Sequence, residues 1–144
     1  MLFRSLRERP IAEFAADALD KRLSKLDPKE DLAALPVEQR HHERIKIKKL
    51  RYAADAFAAL FDAHPKRRKR MTAAFKDAQE CLGLLNDDAV GREIAHRLVA
   101  DSGNAEAAFA AGAAFAPDPR RDARRLKAAQ AAWAEMFADR PFWR

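Results

Sequence analysis

A single cysteine, Cys81, occurs in 144 residues, so no internal disulfide can form and a reducing compartment is expected. Glycine is limited to four positions, and β-branched residues are few while alanine is abundant. That balance disfavours strands and favours helix almost everywhere. No apolar run reaches the roughly 18 residues of a spanning helix, so no membrane segment is expected. Met1 to Pro10 carries Arg4, Arg7, Glu8 and Arg9 without an apolar h-region, so no signal peptide is expected and the expected location is the cytoplasm. Nothing resembles a glycine-rich phosphate loop, and no serine or cysteine is set beside a base. The expectation is therefore a non-enzyme with no catalytic residue, no cofactor and no metal.

What is present is helix-forming sequence with an uneven charge. Hydrophobic residues make up 49% and charged residues 35%, the balance of a globular chain long enough for one domain over residues 1–144. The net charge is +6. Between Val37 and Arg70 eleven Lys/Arg stand against four acids, a net +7, so the remainder is near −1. The basicity belongs to one region, as in a polyanion-binding surface or a solvated charged face.

The chain divides into helical patterns. Ile11, Phe14, Ala15, Ala18 and Leu19 share one face of the first, which Asp27-Pro28 ends. Pro36 opens a second from about 37 to 63, and His64-Pro65 ends it. A third, about 66 to 85, aligns Met71, Phe75, Ala78, Leu82 and Leu85. Asn86-Asp87 reads as a break and a new N-cap, followed by a fourth helix carrying Val90, Ile94 and Leu98. An Ala-rich segment at 105–116 and a last helix from about Pro119 to Ala138 complete the chain, with Phe142-Trp143 anchoring the tail. The expected fold is all-α, an antiparallel bundle of four to five helices.

The second helix departs from the usual pattern. At about 100° per residue, His41, Lys48 and Arg51 fall within roughly 60° of Arg44, with Arg40 close by. Ile45 and Tyr52 flank this stripe on one side; Ile47, Leu50, Ala54, Phe57 and Phe61 flank it on the other. Lys46, Lys49 and His42 occupy the polar side where an amphipathic helix normally keeps its charges. Like charges at spacings of three and four destabilise a helix by roughly 0.2–0.5 kcal/mol per pair, so the stripe is a cost unless an anion is bound. Arginine offers a planar fork to phosphate and lysine a mobile point charge. Snorkelling over the apolar flanks, or pairing with acids of other helices, is the alternative.

Weaker signals extend the groove. Arg67 and Arg68, within the run KRRKR, lie nearest the apolar face of the third helix. Arg124 and Lys127 form a stripe with Arg120 in the last helix. Gly83, in LGLLND, permits close helix approach, and Cys81 reads as a small buried hydrophobe.

The run His41-x-x-Arg44-Ile45-x-x-Lys48-x-x-Arg51-Tyr52 resembles the signature of the CHAD family, the conserved-histidine α-helical domains. It fixes five residue types over twelve positions. LGLLND and the closing PFW are also similar to that family's pattern, so the resemblance covers most of the chain from about Pro10. It implies a helical domain of two related four-helix repeats whose basic residues line a channel for inorganic polyphosphate. Carried over, His41, Arg44, Lys48 and Arg51 are phosphate contacts and Tyr52 supports the groove wall. The chain is about half such a domain and resembles its second, C-terminal repeat, reading K-x-x-R-Y. Either it is a piece of a longer protein, or two copies pair as a homodimer to rebuild the channel. The expected partner is polyphosphate, with association to polyphosphate granules. The alternatives are a nucleic-acid-binding domain, though exposed aromatics for base stacking are not apparent, and a helical module for an acidic protein partner.

Overall fold

The computed structural model describes residues 10–144. The expectation about a signal peptide falls on residues 1–9 and lies outside the described residues. Among the described residues five α-helices follow one another: α1 (Ile11–Leu23), α2 (Val37–Phe57), α3 (Pro65–Ser102), α4 (Ala105–Ala114) and α5 (Pro119–Met136). A 3₁₀ turn over Ala58–Leu60 closes α2, and no strand occurs among the described residues. The fold is the all-α bundle that composition predicts.

α3 is the central strut. α2 packs along one flank of it, α5 along another and α4 against its C-terminal part, while α1 lies on α2. The core joins Leu19 of α1, Ile47, Leu50 and Ala54 of α2, Met71, Phe75, Ala78 and Leu82 of α3, and Ala129, Trp133 and Met136 of α5. Pro10 precedes α1, whose inward side is Ala15, Ala16 and Leu19. Ile11 and Phe14, expected on that face, stay exposed because the first turn projects beyond the core cluster, which begins at Ala16.

The linker between α1 and α2 is held by side-chain bonds. Asp27 accepts from the Lys29 N–H at 2.9 Å and Asp31 from the Ala33 N–H at 3.1 Å, two short Asx turns that let Leu26 and Leu32 point inward. Gln130 of α5 clamps it, accepting from Leu32 N at 3.0 Å and donating to Glu30 O at 2.9 Å. The Trp133 indole donates to Asp27 O at 2.8 Å. At the other end of the chain, Phe142 and Trp143 are buried, as expected of the tail. Phe142 meets Trp143 and Phe61 edge-on, and the Trp143 indole donates to Asp20 at 2.8 Å.

Two boundaries differ from the sequence reading. α2 gives way to the 3₁₀ turn at Ala58, short of the expected residue 63, and Arg68 Nη1 donates to Ala58 O at 3.0 Å and Phe61 O at 3.3 Å. Ala58 O also accepts from the Phe61 N–H at 3.1 Å, and the guanidinium ties both carbonyls to the start of α3. The break expected at Asn86-Asp87 does not occur; α3 runs unbroken for 38 residues. Asn and Asp in a helix interior cost only about 0.7 kcal/mol each relative to alanine. Continuing the helix keeps Leu85 and Ala95 buried and delivers Asp88 to Arg121 and Arg125 of α5. α3 ends instead at Gly103, whose φ of 59° supplies the left-handed cap. Val90, Ile94 and Leu98, which the sequence assigns to a separate fourth helix, lie on this continuous one and are exposed.

Candidate anion-binding site on helix α2

Helix α2 turns Glu43, Ile47, Leu50 and Ala54 into the bundle. The cationic stripe lies about a quarter turn further round, at the edge of the α2–α3 seam. Arg44 crosses that seam. A Cβ built on Gly83 of α3 would stand 3.1 Å from Arg44 Nε and 3.7 Å from Nη2. The missing side chain of Gly83 is therefore the socket in which the guanidinium rests. One helical turn earlier on α3, Gln79 Oε1 accepts from Arg51 Nη1 at 3.2 Å, which sets the direction of the second arginine. Lys48 Nζ lies 5.7 Å from the centre of the Tyr52 ring, a cation–π contact. Tyr52 itself is 55% exposed.

The acids near the stripe are few. Glu43, the buried carboxylate of α2, is taken by Lys46 at 2.6 Å, a lysine on the other side of the helix. Asp55 lies 4.0 Å from Arg51 Nε and is itself exposed. Among the described residues no carboxylate stands within ion-pair distance of Arg40, His41, Arg44 or Lys48. His41 Nδ1 and Arg44 Nε are buried atoms with no hydrogen-bond partner, a condition that native structures avoid unless a ligand or water completes them. At the head of the stripe a cavity of about 440 Å³ opens between α2 and α3, lined by His41, His42 and Glu38 on one side and Asn86, Val90 and Glu93 on the other.

The other basic candidates lie elsewhere. Arg68 is engaged by the carbonyls that end α2 and by Asp62 at 3.4 Å. Arg67 faces Asp139 at 3.9 Å, about 18 Å along α3 from Gln79. Arg124 and Lys127 are exposed on α5. The ion pairs between α5 and α3 centre on Asp88, which is about 180° around α3 from Gln79. The structure thus brings together His41, Arg44, Lys48 and Arg51, with Tyr52 beside them, and leaves the remaining candidates off the seam. Reading the sequence missed Gln79 and Asn86. Their signal was available, because Gln79, Gly83 and Asn86 recur at spacings of four and three on one face of α3.

Chemically the site offers donors and positive charge. The Cys81 thiol is half-buried, and burial first, then Asp77 and Glu80, push its pKa up, which keeps it protonated. Among the described residues no group of three or more His, Cys, Asp or Glu is placed to hold a metal ion. No described helix is long and apolar enough to cross a membrane.

The chain is thus an all-helical bundle with a row of cations along the α2–α3 seam and no acid opposite most of it. The family model of the CHAD domain matches residues 2–96, about two thirds of the chain, and the protein belongs to that family. The match takes in α1, α2 and the part of α3 that carries Gln79, Gly83 and Asn86. No curated protein and no solved structure matches the chain.

Proposed function

We propose that the α2 seam binds inorganic polyphosphate without transforming it, through His41, Arg44, Lys48 and Arg51, with Arg40 at the margin and Tyr52 as a wall. The family is associated with polyphosphate binding. The observation that carries the reading for this chain is Arg44, seated on Gly83 with a buried, unpartnered Nε, in a row of cations of which only Arg51 has an acid within ion-pair distance. The row follows two to three turns of helix, about 15 Å from His41 to Arg51. A linear polymer of evenly spaced charges matches that length better than a single small carboxylate. Binding of this kind is electrostatic and falls steeply with salt.

Thermal unfolding at about 150 mM salt with long-chain polyphosphate, and with single-stranded DNA in parallel, tests this. A native-state ligand at a hundredfold excess over Kd adds about 2.7 kcal/mol. A clear rise in Tm with polyphosphate and little with DNA is the expected result; no rise with polyphosphate overturns the proposal. One observation favours nucleic acid as a second reading. Tyr52 is exposed beside Lys48 and offers a face on which a base could stack. A single aromatic platform is thin support for that mode, and direct competition between the two polymers separates them.

A further inference from the structure

Past the N-terminal end of α2, the C-terminal turns of α3 carry an apolar ridge that none of the described helices covers. Val90 is 44% exposed, Ile94 51% and Leu98 63%. They recur every four residues on one line of the helix, with Leu84 exposed to one side. Scattered apolar residues on a surface need no explanation, whereas a contiguous row does. α4, which packs on this end of α3, buries none of its residues and exposes Phe109 almost fully. The apolar surface here therefore belongs to the outer end of the helix pair, away from the core.

We propose that two copies of the chain associate through this ridge, α3 against α3, antiparallel about a twofold axis level with Ala95, midway between Glu93 and Arg97. Three features point to a second copy as the occupant. A row at i, i+4 and i+8 is a ridge that interdigitates with an identical ridge at a crossing of about −50°, so the face is complementary to itself. Its charged flank is self-complementary as well. Glu93 and Arg97 are exposed, pair with each other within one chain, and lie one turn apart on the same side of the ridge. The antiparallel axis sets Arg97 against the partner's Glu93 and Glu93 against the partner's Arg97. The like-charged ends do not oppose this, because at that crossing angle Asp87 and Asp101 diverge from the partner helix. Val90 also lines the cavity at the head of the cationic seam, so the docked copy borders its mouth.

The contact spans about two turns, roughly 12 Å, which puts it at the small end of specific interfaces and its affinity in the micromolar range. Sedimentation velocity on the full chain, without polyphosphate, from about 1 to 200 µM measures it. A shift from monomer to dimer is expected. Ile94→Glu and Leu98→Glu each change an exposed side chain, and circular dichroism checks that each variant folds; either one should hold the protein monomeric throughout. Glu93→Arg and Arg97→Glu singly should weaken the dimer by about tenfold, and the double reversal should restore it. A monomer at the highest concentration overturns the proposal. So does a dimer that survives Ile94→Glu and Leu98→Glu, or a double reversal no better than its parents.

Discussion

Replacing Gly83 should uncouple the stability of α3 from the working of the cationic seam. Glycine in a helix interior is about 1 kcal/mol less favourable than alanine, and Gly83 lies well inside α3. An alanine Cβ would approach Arg44 Nε to 3.1 Å and Cζ to 3.8 Å. The first distance is a few tenths of an ångström too close. The obstructing atom belongs to a long, flexible side chain, so the guanidinium can withdraw at small cost. Gly83→Ala should then gain about 0.5–1 kcal/mol, a rise in Tm of about 2–4 °C for a chain of this size. Gly83→Leu is a different perturbation, because its side chain fills the socket and drives Arg44 into solvent. Overpacking of about 1–3 kcal/mol offsets the helix gain, and one ordered phosphate contact is lost. Polyphosphate affinity should fall severalfold, and the slope of log K against log salt should lessen by about 0.7, the share of one contact on a single-stranded polyanion. Thermal unfolding followed by circular dichroism, with binding titrations at three salt concentrations, reads both quantities. Unchanged affinity and slope in Gly83→Leu would refute a role for Arg44 as placed here. A loss of more than 1 kcal/mol in Gly83→Ala would refute the flexible socket.

Changing Arg44, Lys48 and Arg51 together to Glu should abolish polyphosphate binding while leaving helicity intact, as titration and far-UV circular dichroism would show; binding equal to the parent would sink the assignment. Trp133→Phe leaves the Asp27 carbonyl without the donor it has at 2.8 Å. A stability loss of about 2–3 kcal/mol is expected by denaturant unfolding, against near neutrality if the bond contributes nothing. Acid should weaken α5 in particular. Its N-cap Asp118 accepts from the Arg121 N–H, and Glu135 bonds Arg70, so both carboxyls are held below the usual carboxylate range. A lowered folded pKa gives stability that is complete above the ordinary carboxylate pKa and lost as pH falls toward the folded value. Asp118→Ala should therefore lower Tm near neutrality, through the lost N-cap, and flatten the acid limb of the stability profile; an unchanged limb would contradict this. The Cys81 thiol should react slowly with alkylating reagents in the folded protein and readily once unfolded, because burial raises its pKa.

The helical class and the seam were legible in the sequence because each rests on a local pattern. Helix composition survives any packing, and charges at three and four spacing beside Ile47 and Leu50 mark an edge that a solvated helix does not have. The opposing wall was only half legible: Gly83 signalled close approach, but not which side chain would approach. Boundaries failed where a weak local preference met tertiary packing. Asn86-Asp87 is good capping sequence, yet the ion pairs of Asp88 with α5 and the burial of Leu85 and Ala95 hold the helix through it. Periodicity located the row Val90, Ile94 and Leu98 correctly as one face, but carries no information about what covers a face. Arg68 illustrates the same limit, since the carbonyls that engage it belong to the end of another helix. On α5 the useful cations were Arg121 and Arg125, one position away from the expected stripe, because Asp88 selects them.

The unbroken length of α3 has a bearing on reach. Its 38 residues make a rod of about 57 Å with no hinge along it. Gly83 and Ile94 are thus held about 16 Å apart on one stiff element, and two rods crossed level with Ala95 would hold a pair of cationic seams at a fixed separation. A short oligophosphate would fill one seam and ignore the other. A chain long enough to bridge both would bind its second seam at a high effective concentration, so affinity would rise abruptly with chain length once that span is reached, as a ruler distinguishes long from short.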